Sequence, residues 1–474
     1  MSVFTRWIAA PVVVFAMLAS LQASGGMIQA VRAGDPAHVA ALIRQKANVN
    51  ETGADGATAL HWAAQASNTQ VMQLLLGAGA KANAANVYGV TPLALACLNA
   101  STGAVDALLR HGADPNLASV TAETPLMTAA RTGNVGIVTR LVEARARVDA
   151  REAAGQTALM WAAAEAHTGV VRELIRAGAD VNGTSSGKFT ALMFAARSGD
   201  VASVRALLDA GARIADTAAS GRDALIIAAA SGHNPVVEFL LTKGASPNVT
   251  DGAGMTPLHA AVWGNVQNVE GIRLLLARGA NPNVRTTGNV PQRAKYNYFA
   301  DIYYRTPTFT TFTGATPMAL AAIQADAVAM RALGAGGADV SIPLNNGSTP
   351  LALAAGLGWT VEQSPVTPEQ AVEAVKAALD LGADINARNK GGRMALHGAA
   401  NQGAVPVLQF LAARGADING VDEHGWTALW TAEHAQLGAS ILVQPEAMKA
   451  LRALGAKEIV PPKETALAPA VQAR

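Results

Sequence analysis

The chain has little of several things, and each shortage excludes something. Cys97 is the one cysteine in 474 residues, so no intrachain disulfide can form and stability rests on packing. Aromatic residues are 4% of the chain and charged residues 15%. That low charge, beside a hydrophobic share of 50%, argues against disorder over most of the length. The formal net charge is +2, leaving no basic excess to neutralise a phosphate backbone, so nucleic acid is not expected as a partner. Beyond the first 23 residues no run is long and apolar enough to span a bilayer, which takes about 20 residues.

Motifs for chemistry are also scarce. No His-x-x-x-His and no Cys/His cluster occurs. The stretch "GTSSGKFT" (183–190) resembles a phosphate loop only partly, because its glycines are one residue too close and Phe189 stands where Ser or Thr should follow the lysine. No catalytic residue, cofactor or metal site is therefore expected, and the chain reads as a non-enzyme.

Residues 1–23 carry Arg6, an apolar run from Trp7 to Leu18, then Ala19, Ser20, Gln22 and Ala23. That order is the order of a cleavable export signal, with cleavage expected after Ala23. The alternative is an uncleaved anchor, the one case in which a membrane would be a partner. No cysteine follows the run to accept a lipid. The expected location is the periplasm or the outside of the cell.

What is present is a repeat. Thr58-Ala-Leu-His61, Thr91-Pro-Leu-Ala94, Thr124-Pro-Leu-Met127, Thr157-Ala-Leu-Met160, Thr190-Ala-Leu-Met193, Asp223-Ala-Leu-Ile226 and Thr256-Pro-Leu-His259 start 33 residues apart. The series resumes at Thr316, Thr349, Met394 and Thr427, after spacings of 60, 33, 45 and 33. A Gly-Ala pair follows most starts by 21 residues, as at Gly79, Gly112, Gly178, Gly211, Gly244, Gly337 and Gly415. A glycine stands two residues before nine of the eleven starts; Ala122 and Lys188 are the exceptions.

Each marker has a physical reason. Thr or Asp caps a helix, and Pro suits its first position. The preceding glycine fits a turn with positive φ. Small residues such as Ala63-Ala64 and Ala129-Ala130 let helices approach closely. A second helix shows apolar residues at i, i+3 and i+4, as in Val171, Leu174 and Ile175, and Gly-Ala ends it.

A 33-residue helix–turn–helix unit headed by Thr-Pro-Leu-His resembles the ankyrin repeat. With a degenerate unit at Met27–Asn50, about twelve units run over residues 24–459. The resemblance implies an all-α solenoid, first helices lining a concave side and turns projecting as hairpin-like fingers. Within the family the chain resembles exported bacterial multi-ankyrin-repeat proteins, most of them without an assigned activity. The histidines His61, His259 and His397 match the family's structural hydrogen-bonding position. The tail 460–474, rich in Pro and Ala, is expected to be disordered.

Departures from the period locate what was added. Thr316 follows Gly279 by 37 residues where sister heads follow by 12, an enlarged finger near 285–313. It gathers four of the five tyrosines, Tyr296, Tyr298, Tyr303 and Tyr304, with Arg285, Arg293, Lys295 and Arg305 against one acid, Asp301. Tyr and Arg are enriched in binding hot spots, so a contact loop is one reading; a loop packed on its neighbours fits the same composition. Two extra residues fall in the unit at Thr256, twelve near 357–368 and seven in the last unit.

The seventh residue after each start is expected to face the groove. Arg131, Arg197, Trp263 and Ile323 are the most contact-capable of these, and Tyr88, Phe189 and Trp426 sit on finger tips. The function expected is a scaffold that binds a protein, as a monomer, through the groove and the long finger. A structural envelope spacer is the alternative, and an enzyme or enzyme accessory acting through the insertions is the remaining one.

Overall fold

A computed structural model describes residues 26–264, 268–288, 290, 312–358, 366–437 and 440–459. Residues 1–23, expected from their order to be an export signal, and the tail 460–474 lie outside these residues. So do Tyr296, Tyr298, Tyr303, Tyr304, Arg293 and Arg305. The described residues form 24 helices in twelve pairs, and no helix is long and apolar enough to cross a membrane.

The head tripeptides open the first helices as their chemistry requires. Thr91 Oγ1 accepts the Ala94 N–H at 3.2 Å, and Thr190 Oγ1 accepts the Met193 N–H at 3.4 Å. The turn before each head holds positive φ at Gly56, Gly89 and Gly155. Ala122 (φ 62°) and Lys188 (φ 59°) keep the same left-handed backbone without glycine's freedom. The turn geometry, not the glycine, is therefore the invariant of the unit.

The described residues divide into two compact units, 26–224 and 225–459. In the first, helices 27–32, 59–65, 92–98, 125–132, 158–164 and 191–198 pack in succession. Their partners 36–44, 69–77, 102–110, 135–143, 168–176 and 201–209 do likewise. Leu60, Leu126, Leu159, Val138 and Leu174 are fully buried between them. In the second unit, helices 257–263, 317–323, 350–354, 395–401 and 428–433 form one row. Helices 234–242, 269–277, 327–335, 368–380, 405–413 and 445–453 form the other.

Asparagine ties successive repeats together. Asn83 Nδ2 donates to Gly112 O at 2.9 Å while its Oδ1 accepts Asp114 N–H at 2.7 Å. Asn50, Asn116, Asn182, Asn248, Asn283 and Asn419 make the same double bridge. Asp114, Asp180, Asp384 and Asp417 cap their own turns, each accepting the N–H two residues on.

The insertions change loops and leave the rows intact. Four residues of the addition near 357–368 lengthen helix 368–380, which has 13 residues where helix 405–413 has nine. The seven extra residues of the last unit were not expected to form strands. They build a two-stranded antiparallel hairpin, 435–437 with 440–442, in register Ala435↔Leu442. Its first strand packs on helix 395–401 of the preceding repeat.

Candidate partner-binding surface

The first helices of the 26–224 unit carry aromatic side chains four residues after their heads: Trp62, Trp161 and Phe194. Each meets an arginine. Arg32 lies 4.6 Å from the Trp62 ring centroid, Arg131 5.5 Å from Trp161, and Arg197 5.0 Å from Phe194. Such a contact contributes about 0.5–1 kcal/mol at an exposed site, so the pairs do more to fix side-chain positions than to stabilise the fold.

Arg131 is held from three sides. Its guanidinium pairs with Glu123 at 3.2 Å, and Glu123 accepts the Thr128 hydroxyl at 3.0 Å. His167, from the next repeat, approaches the Arg131 carbonyl with Nε2 at 3.0 Å. Arg131 is half-buried and Arg197 exposed. The sequence signal for Arg131 and Arg197 was their place seventh after the head. Trp62, Trp161, Phe194, Glu123 and His167 were missed as a set: Trp62, Trp161 and His167 meet residues 30–36 positions earlier, which only the repeat period could have aligned, whereas Phe194 and Glu123 meet arginines 3 and 8 residues on.

Trp263 and Ile323 differ. Both were expected to present a groove patch; Trp263 is 8% exposed and Ile323 1%. The Phe312 ring, at the return of the enlarged finger, meets Trp263 edge-on at 6.3 Å. Phe312 helps to cover Trp263, and Ile323 is buried within its own unit's packing. Trp426 is likewise buried instead of lying open on a finger tip, stacked on Trp430 at 4.0 Å. Tyr88 stays 40% exposed, beside Val87 and, on the next finger, Val120.

The enlarged finger starts and ends at one place. Ordinary fingers close across four residues, as from Ser185 N–H to Phe189 O at 2.9 Å. They are also linked tip to tip: Val87 N–H donates to Asp55 O, and Tyr88 O accepts from Val120 N–H. In the enlarged finger Thr286 N–H closes on Ala315 O at 2.9 Å. The tip links are divided: Thr287 N–H donates to Ala253 O, and Thr313 O accepts from Asn345 N–H. The 25 additional residues, 288–312, thus sit between two atoms that are neighbours in every other finger. Arg285, grouped by sequence with the finger's basic residues, clamps this base. Its Nη2 donates to Pro343 O and Asn345 Oδ1, both at 2.9 Å, and Nε to Gly314 O at 3.1 Å.

The head histidines are structural. His259 Nδ1 accepts the Thr256 N–H at 3.1 Å and its Nε2 reaches Ala315 O at 3.1 Å, across the whole insertion. His61 and His397 make the same two contacts, to Thr58 and Val90 and to Met394 and Trp426. Burial disfavours their charged forms: His61 and His397 are pushed down from 6.5, and His259 to about 4. Cys97 is fully buried, and burial pushes its thiol far up, so no thiolate forms there. The "GTSSGKFT" stretch is an ordinary finger closed by Ser185 and Phe189. Among the described residues no three His, Cys, Asp or Glu side chains are grouped to hold a metal ion.

A family model described as "Ankyrin repeats (3 copies)" matches residues 27–119, 116–185, 171–251 and 192–286. A second, "Ankyrin repeats (many copies)", matches 377–432. The chain belongs to the ankyrin-repeat family. Among solved structures the human ASB11 ankyrin repeat domain is similar, with 27% identity and a TM-score of 0.43, covering 48% of this chain and 100% of that one. Ankyrin repeats generally mediate protein–protein interaction, and the family is typically a non-catalytic scaffold.

Proposed function

We propose that this ankyrin-repeat protein is an exported, non-catalytic scaffold that holds a protein partner on its first-helix face and its enlarged finger. The observation that carries this reading is the row of arginine–aromatic pairs at Trp62, Trp161 and Phe194. Arginine and tryptophan dominate binding hot spots because they combine large contact area with directed polar groups. Fixing them before contact reduces the ordering entropy that association costs. The tyrosines and arginines of the finger, Tyr296, Tyr298, Tyr303, Tyr304, Arg293 and Arg305, supply a second contact of the same chemistry. Export and a place in the periplasm or outside the cell rest on the residue order of 1–23.

The test is affinity capture from the native envelope and medium with three baits: the native chain, a chain lacking 288–312, and R131A/R197A. One protein retained by the native chain and reduced at least about tenfold with either variant is expected, since hot-spot losses reach 2 kcal/mol or more. Equal capture by all three would overturn the assignment of these surfaces and favour an envelope spacer.

A further inference from the structure

We infer that residues 460–474 of this same chain dock on the end of the last repeat, along Trp426, Trp430 and His434, as a partial thirteenth unit. Four observations lead there, none of which depends on the protein partner proposed above.

The chain leaves the last second helix as though another repeat followed. After helix 445–453, Gly455 takes φ 93°, and Asn419 bridges to Gly455 O at 3.4 Å and Lys457 N–H at 2.8 Å. This is the double bridge that elsewhere hands the chain to the next finger. The segment then repeats a head: Thr465-Ala466-Leu467 is the tripeptide that opens the units at Thr58, Thr157, Thr190 and Thr427. It follows Gly455 by 10 residues, against 12 from Gly415 to Thr427, so the finger it implies is two residues shorter. Pro461 and Pro462 suit an extended finger arm, and Pro469 limits the helix to its first turn.

The face is built for a cover of that kind. Trp430 stands where His61, His259 and His397 stand in their units, and those histidines bond the next finger's carbonyl. Here the ring stacks instead, on Trp426 at 4.0 Å and on His434 at 4.0 Å, with His424 beyond Trp426 at 4.8 Å. Trp430 and His434 remain half-buried. The Trp426 indole N–H is buried and finds no hydrogen-bond partner among the described residues. By contrast, helix 445–453 turns Glu446, Lys449 and Arg452 to solvent. That polar side does not call for a further second helix packed on it. What the end lacks is a finger and the start of a first helix, and the segment contains those two parts. Fifteen residues reach up to roughly 45 Å at about 3 Å each, and tethering in the same chain gives them a millimolar effective concentration. Docking replaces the disordered tail expected from composition.

Hydrogen exchange of residues 422–434 in the native chain, in a chain ending at Ile459 and in L467D tests this. Exchange in both variants is expected to be at least about tenfold faster than in the native chain, with a free peptide of residues 460–474 restoring protection to the shortened chain. Equal exchange in all three, or no restoration by the peptide, overturns the proposal. A native chain that dimerises with concentration, beside a monomeric shortened chain, overturns it in favour of the tail of a second copy.

Discussion

The 26–224 unit keeps the 33-residue period without interruption, whereas the 225–459 unit breaks it four times. Yet their helix rows pack in the same way. The difference teaches where this fold accepts additions. All four begin in fingers or in the connection between paired helices, where loop length costs little entropy; one extends helix 368–380 by four residues and one forms the hairpin 435–442, and both rows still pack in succession. The site follows the same division. In the regular unit Arg131 and Arg197 remain accessible; in the interrupted one the corresponding Trp263 and Ile323 are covered.

The comparison breaks most visibly in the core. Leu159 and Leu396 hold equivalent head positions and are 1% and 2% exposed. L159A and L396A should each lower stability by about 2–5 kcal/mol in urea unfolding. A loss under about 1 kcal/mol at Leu396 would show that the interrupted rows are more loosely packed than the regular ones.

Acid sharpens it next. The folded state holds His61, His259 and His397 below their ordinary 6.5, so the unfolded chain binds more protons below that pH. Their full contribution is present above about 6.5 and is lost as pH falls, for His259 down to about 4. Two of the three lie in 225–459, so hydrogen exchange at pH 5 should rise more there than in 26–224. A pH-independent difference between the units would contradict this.

The asparagine bridges come third. Asn116 links residues 29 apart and Asn283 residues 54 apart, through the same two bonds. N116A and N283A should cost the same, about 1 kcal/mol, in thermal unfolding. A clearly smaller cost at Asn283 would mean that the insertion loosens the junction it interrupts. Smallest is the turn effect: A122G and K188G should each raise stability by roughly 1 kcal/mol by relieving left-handed backbone, both in the regular unit. Destabilisation by either would show that the side chain, not the turn, is what the position selects.

The helices were legible because their signals recur. Thr or Asp heads, alanine pairs and Gly-Ala ends each mean little once; aligned at 33 residues they placed eleven pairs and the insertion lengths, with 27–44 read as a degenerate twelfth. The hairpin at 435–442 was not legible, since "HAQLGASILVQ" has no period to set its register against. The surface was legible by halves. Register alone placed Arg131 and Arg197 at positions that are half-buried and exposed. Trp62 and Trp161 were not legible, because the arginine that covers each comes from the preceding repeat; Phe194, three residues before Arg197 in one helix, carried no mark of its own. The burial of Trp263 depended on Phe312, which the enlarged finger places beside it and no local pattern announces.

The central claim is that the long finger was added to a register that closes without it. Removing 288–312 would bring Thr287 and Thr313 together as neighbours, as Val87 and Tyr88 are in a regular finger. Thermal unfolding of that shortened chain measures the claim directly. A cooperative transition is expected to remain, its midpoint lowered by a few degrees at most, the roughly 1–2 kcal/mol that losing Phe312 from Trp263 would cost. Loss of the cooperative transition would contradict it.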